Sequence, residues 1–218
     1  MKHRLIFIRL KVNFSKEDEF KRVKCTLGKL NWFMEKGYEV NLPVKIKGVA
    51  NQGNIPADNE ISEAVSSEFN QEEYRREAQN LVHRFEETKD DFFDKLTSLG
   101  LPIQSEYKVL ITKYGVGGSY DLPNSIQINF DYSNAKDTLA ITFHEIIHLT
   151  IEDLIRDNNI KHWTKEQIVN LIYSRFFPEK QKIQISSENS EQVDRIFNQF
   201  FPNIEKIVFE TSKLDKVK

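Results

Sequence analysis

The stretch that most constrains this chain is residues 138–151, TLAITFHEIIHLTI, where every residue other than His144, Glu145 and His148 is uncharged. A segment this apolar reads as a helix buried on most sides. Two imidazoles and a carboxylate buried side by side are costly unless something satisfies them. The spacing offers a way: residues four apart project from one helix face a turn apart, so both rings can ligate one divalent cation. His144-Glu145-Ile146-Ile147-His148 is thus an H-E-x-x-H pattern, in which the histidines hold zinc and the intervening glutamate accepts a proton from the metal's water. The plainer alternative is a neutral hydrogen-bonded His/Glu cluster or one that reaches solvent.

The rest of the chain supplies an α+β setting. Residues 4–14, 107–112 and 125–130 are β-branched or alternating and read as strands. So do residues 38–46, with Pro43 confining that strand to a sheet edge. Helical periodicity runs through 16–36 with a break near Gly28, and through 61–99, where Tyr74, Ala78, Leu81, Phe85, Phe92, Leu96 and Leu99 form one apolar stripe stopped by Gly100 and Pro102. Helices are expected again at 135–157, 164–176 and 190–201, followed by an apolar segment at 204–209. Residues 48–59 are the most loop-like and the best hinge; 114–120 read as a Gly-rich turn. That turn lacks a following Lys-Ser/Thr and leads to a strand, so it is no phosphate loop.

Composition narrows the class. With 39% hydrophobic and 29% charged residues over 218 positions the chain can build a core, and its net charge of −2 argues against a protein whose main task is to neutralise phosphates. The charge is uneven, with twelve Lys/Arg against five Asp/Glu in 1–50 and five against twelve in 57–100. This pattern suits separately solvated or mutually facing regions. Cys25 is the only cysteine, so no intramolecular disulfide or cysteine metal cluster is expected. The N-terminal residues lack a signal-peptide pattern and no apolar run is long enough to span a membrane, so the expected compartment is cytoplasmic.

The H-E-x-x-H helix, the helix ending at Leu99, the strand 107–112, the Gly-containing turn and the strand 125–130 occur in an order that resembles the zincin metallopeptidases. The resemblance covers residues 75–218; residues 1–74 stand apart as an N-terminal region of no assigned family. It implies a small mixed sheet whose edge strand, here 125–130, lies over the active-site helix and aligns an extended peptide, with a mainly helical C-terminal part.

A catalytic zinc site needs a third protein ligand. The metzincin pattern fails, because Ile151 and Leu154 stand where its Gly and His would be. Glu152 follows His144 by two helical turns, about 12 Å along the axis, too far to share the metal with both histidines. Glu166, eighteen positions after His148, is the better candidate. Thr164 and Gln167 fit a capping box that would begin a returning antiparallel helix there. Thermolysin-like gluzincins are similar, with a ligating Glu on the next helix and an Asp four residues later orienting the first histidine. Asn170 occupies that later position, which puts activity in question more than metal binding. His162 is the reserve ligand, and for Glu166 the bland reading is a carboxylate at a helix start. The oxyanion of a tetrahedral intermediate needs a donor; Tyr173, two turns after Glu166, is the first choice and Tyr120 the second.

The expectation is therefore a zinc-dependent metallohydrolase, a peptidase of peptides or proteins, with His144, His148 and Glu166 on Zn²⁺ and Glu145 and Tyr173 catalytic. No nucleic-acid or membrane partner is expected. The alternatives are a zincin-like binding or regulatory protein without catalysis, and a helical interaction protein in which the motif is accidental.

Overall fold

The computed structural model describes residues 7–50, 54–132, 137–178 and 189–215. Two compact units emerge, one from Met1–Glu87 with Ser105–Thr142 and the other from Thr88–Gln104 with Phe143–Lys218. This division follows contacts and cuts through helices. The expected division at 74/75 rests on the resemblance and not on contacts.

The first unit opens with β1 (Arg9–Asn13), α1 (Lys16–Gly28) and α2 (Leu30–Glu35). Ser15 starts α1 by accepting the Asp18 N–H on its hydroxyl at 3.1 Å, which satisfies one of the unpaired donors of a helix start. The expected strand at 38–46 does not form. Residues 44–50 instead make the helix α3 (Val44–Ala50), and only a single bridge joins Asn41 to Gly115. Pro43 cannot donate to a ladder, but its carbonyl accepts from Lys47 N–H at 2.8 Å, and Glu68 caps the Val44 N–H. The buried Ile46 then packs with Val23, Ile61, Ala64, Val65 and Tyr114. Next come α4 (Asp58–Glu68) and the long α5 (Gln71–Ser98), whose stripe residues Tyr74, Leu81, Phe85, Phe92 and Leu96 are fully buried. Gly100, at φ +70°, takes the left-handed turn beyond its end.

Three strands complete the sheet: β2 (Glu106–Thr112), β3 (Gly118–Asp121) and β4 (Ser125–Asn129), in the order β1-β2-β4-β3. β1, β2 and β4 are parallel and β3 is antiparallel to β4. Register aligns Leu10 with Tyr107, Val109 with Ile126 and Ile111 with Ile128, so these buried side chains line one face. The fold is thus α+β with a small mixed sheet. The strand at 125–130 is not the edge, however: β4 lies between β2 and β3, with both sides of its backbone paired. The Gly-rich turn hides the reason, since its last residues form the short hairpin strand β3, which takes the edge.

A buried polar pin fixes that region. Glu19 on α1 accepts hydrogen bonds from the Tyr74 hydroxyl, from Thr112 Oγ1 at 2.6 Å and from Lys113 N–H at 2.9 Å. One turn on, Arg22 donates to Tyr114 O, Ser119 Oγ and Gln127 Oε1 at 3.0–3.3 Å. Gly115 lies so close that a Cβ there would stand 2.4 Å from Arg22 Nε, and its φ of +85° suits glycine alone.

The second unit holds the end of α5 and most of α6 (Thr138–Asp157), then α7 (His162–Phe176), α8 (Ser190–Phe200) and α9 (Ile204–Asp215). Its core is aromatic: Phe92 stacks on Phe143 with centroids 4.0 Å apart, and Phe143 on Phe177 at 5.6 Å. α6 ends in a Schellman turn, with Asn159 at φ +54°, Ile160 N–H on Ile155 O and Asn159 N–H on Arg156 O. The chain re-enters a helix at once, with Lys161 as N-cap and no side-chain cap bond. The capping box expected from Thr164 and Gln167 is therefore not made. Thr164 is buried inside the helix, and the Gln167 carboxamide reaches Ser190 and Asp194 of α8 at 2.8–2.9 Å. Among the described residues no helix is long and apolar enough to cross a membrane.

Candidate metal centre

α6 presents His144 and His148 one turn apart, their ring centroids 4.7 Å apart. α7 returns antiparallel after its four-residue connection and brings Glu166 to both. His144 Nε2 and His148 Nε2 are 3.1 Å apart, and Glu166 Oε2 lies 3.4 Å from the first and 3.2 Å from the second. His148 is almost wholly buried, while His144 and Glu166 keep about a sixth of their side-chain surface. The open side of the group is therefore its His144–Glu166 edge.

This triangle can be tested against a metal. Two donors each about 2.0–2.1 Å from a tetrahedral ion stand about 3.3–3.4 Å apart. The three observed edges, 3.1, 3.2 and 3.4 Å, match one face of such a tetrahedron and leave the fourth corner open. Two imidazoles and a carboxylate are a donor set that could hold a metal ion. Among the described residues, these three form the group of His, Cys, Asp and Glu side chains that could hold one.

Protonation favours a cation as well. Burial lowers the His148 pKa to about 4, against the opposing pull of Glu166, so this ring is neutral at neutral pH. Burial would raise the Glu166 carboxyl, but its interactions with His148 and His144, hydrogen bonds to both rings among them, outweigh this and hold the carboxyl far below its usual range. At His144 burial pulls downward, yet the Glu166 hydrogen bond and the charges of Glu145 and Glu166 leave the net shift upward. Metal ligation requires deprotonated donors, and an ionised carboxylate beside a neutral imidazole supplies two of the three.

No protein-family profile, curated protein or solved structure matches the chain. The geometry alone therefore carries the functional reading.

The other expected site residues are placed as follows. Glu145 is buried on α6, and its charge acts on His144. Tyr173 lies two turns beyond Glu166 on α7, about 10 Å of rise, with its ring 5.0 Å from that of Phe177. Tyr120 belongs to β3, opposite Ile126. His162 is the first residue of α7 rather than a loop residue; its ring meets Trp163, and it is not part of the donor group. Asn170 Nδ2 is buried without a hydrogen-bond partner.

One neighbour carried no motif of its own. Lys165 stands 3.8 Å from Glu152, and its positive charge lowers the pKa of both histidines. Only the hairpin register, with 148 against 166 and 152 against 165, reveals it.

Proposed function

We propose that this chain is a zinc-dependent hydrolase of peptide bonds, similar to the gluzincins, with His144, His148 and Glu166 as ligands and Glu145 as general base. The observation that carries the reading is the His144–His148–Glu166 triangle, whose edges of 3.1–3.4 Å suit three corners of a tetrahedral ion, with a buried Glu145 next to the first ligand. The ion would supply Lewis acidity toward the scissile carbonyl and acidify a water molecule. Glu145 then takes a proton on its carboxylate from the attacking water and passes it to the departing amine. Its buried position keeps bulk water from competing for that proton. Tyr173 is the proposed oxyanion donor.

A second reading is favoured by Asn170. Its amide nitrogen makes no hydrogen bond, and it stands where the resemblance calls for a charged partner to the first histidine. A site with less basic ligands binds metal and turns over poorly, as in a zincin-like binding or regulatory protein.

One experiment separates the two. Zinc content and hydrolysis of a quenched-fluorescence peptide library are measured for the unsubstituted chain, Glu145→Gln and His148→Ala. The peptidase reading expects about one zinc per chain, kept in Glu145→Gln and lost in His148→Ala, with hydrolysis reduced at least about a hundredfold in both. Zinc without hydrolysis in the unsubstituted chain selects the binding protein. Absence of zinc after reconstitution overturns both readings.

A further inference from the structure

Beside the metal triad, the α6–α7 hairpin has a second concave feature. A depression of about 450 Å³ opens where the last turn of α6 meets the first turn of α7, a size that suits a few peptide residues. Ile155 and Ile160 give it apolar wall, and Glu152, Arg156, His162 and Lys165 give it polar lining. Two permanent cations thus face one carboxylate. Arg156 is exposed, and its side chain makes no hydrogen bond or ion pair among the described residues, its backbone carbonyl accepting from Asn159 N–H. Lys165 and Glu152, both mostly buried, stand 3.8 Å apart, too far for a direct hydrogen bond.

The depression and the triad are joined by helix geometry. His144, His148, Glu152 and Arg156 follow at four-residue steps along α6, and His162 and Glu166 do so along α7, so each residue neighbours the next on its helix, the series turning about 40° per step. From His148, Glu152 and Arg156 lie about 6 and 12 Å along the axis. An extended peptide advances about 3.3 Å per residue, so a group held in the depression is about two to four residues from a bond held at the triad. Lys165 belongs to both places: its side chain lines the depression, and its charge is felt at both histidines.

Resting on the peptidase reading, we infer that this depression is a carboxylate subsite, in which Arg156 and Lys165 receive an anionic group of the substrate two to four residues from the scissile bond. Glu152 holds Lys165 in the wall and disfavours a cationic residue there. The carboxylate comes from a chain terminus or from a Glu or Asp side chain; both present the planar pair of oxygens that a guanidinium engages with two parallel hydrogen bonds.

The test uses the full chain with Glu145→Gln to prevent turnover and Trp32→Phe to leave Trp163 as the only indole. Trp163 contacts His162, ring centroids 4.9 Å apart, so its fluorescence reports on the depression. Three probes are titrated with and without zinc: N-acetyl tetra-alanine as the free acid, the same peptide as its C-terminal amide, and the amide with one internal glutamate. At least one acidic probe should bind about tenfold tighter than the neutral amide, and which one does names the source. Arg156→Gln should reduce that preference to within about threefold without lowering Tm. Equal binding of acidic and neutral probes overturns the subsite. So does a preference that survives Arg156→Gln and vanishes without zinc, because the carboxylate then sits on the metal. Arg156-dependent binding in a chain that hydrolyses nothing keeps the subsite and removes the peptidase reading; hydrolysis without acidic preference does the reverse.

Discussion

Glu166→Gln isolates ligation from folding, because glutamine keeps the shape of the side chain and an acceptor oxygen but not the charge. Structural zinc sites with four ligands bind with an apparent free energy of about 10–16 kcal/mol, or about 2.5–4 kcal/mol per ligand. Losing one of the three donors that stand 3.1–3.4 Å apart should therefore weaken zinc binding by about two to three orders of magnitude. At a free zinc concentration of about a hundred times the dissociation constant of the unsubstituted protein, that protein gains about 2.7 kcal/mol and the variant less than about 0.5 kcal/mol. For a chain of this length the gain raises Tm by about 5–10 °C, against about 2 °C at most in the variant. The assay pairs competition with a chromophoric chelator and thermal melts with and without zinc. Ligation moves the melts only when zinc is present, whereas a folding role moves both. A dissociation constant within about threefold of the unsubstituted value, or equal zinc-induced shifts, would refute the ligand assignment.

Two further perturbations bear on the same unit. In chelator-treated protein, His148 has its pKa lowered to about 4 by burial, so the unfolded state binds more protons below about pH 6.5 and stability should fall by up to about 3 kcal/mol as pH drops from there to 4. His144, shifted upward, contributes with the opposite sign, so His148→Gln should flatten the acid-side loss. Urea unfolding across that range checks this, and a His148 ring titrating near 6.5 by NMR would contradict it. Phe143→Ala removes a ring only 2% exposed and stacked 4.0 Å from Phe92, and should cost about 3–5 kcal/mol. Melts that change by less than about 1 kcal/mol would show that the aromatic cluster does not anchor α6.

The helices were largely legible because their signals are local: the stripe from Tyr74 to Leu96 and the uncharged run around His144. The grouping of three side chains was legible for the same reason, since four-residue spacing puts His144 and His148 together and a short connection returns Glu166 to them. What failed was non-local or competed between periods. Val40, Leu42, Val44 and Ile46 alternate like a strand, yet Pro43 and the cap from Glu68 turn that segment into α3, because Ile46 is buried among residues of α1 and α4. β4 reads as a half-buried strand wherever it lies in a sheet; its interior place depends on β3, four residues concealed in a glycine-rich stretch. The capping box at Thr164 was a sound local pattern overruled by the Schellman turn at Asn159, which lets the helix start two residues earlier and frees Gln167 to bind α8.

The same arithmetic that removes Glu152 from the proposed ligand set gives the outer half of the hairpin its proposed role. At 1.5 Å per residue, a side chain two turns from His144 cannot share its metal, yet that distance matches the reach of a bound peptide beyond its scissile bond. The four-residue series that places His144 and His148 continues through Glu152 to Arg156, and α7 contributes Lys165 beside Glu166. The hairpin thus grades from two imidazoles and a carboxylate at the triad to permanent cations at the turn. Removing charge at Arg156 should alter which peptides bind while leaving the metal in place, and removing it at Glu166 should do the opposite. A common response to both substitutions would mean that the two ends of the hairpin form a single site.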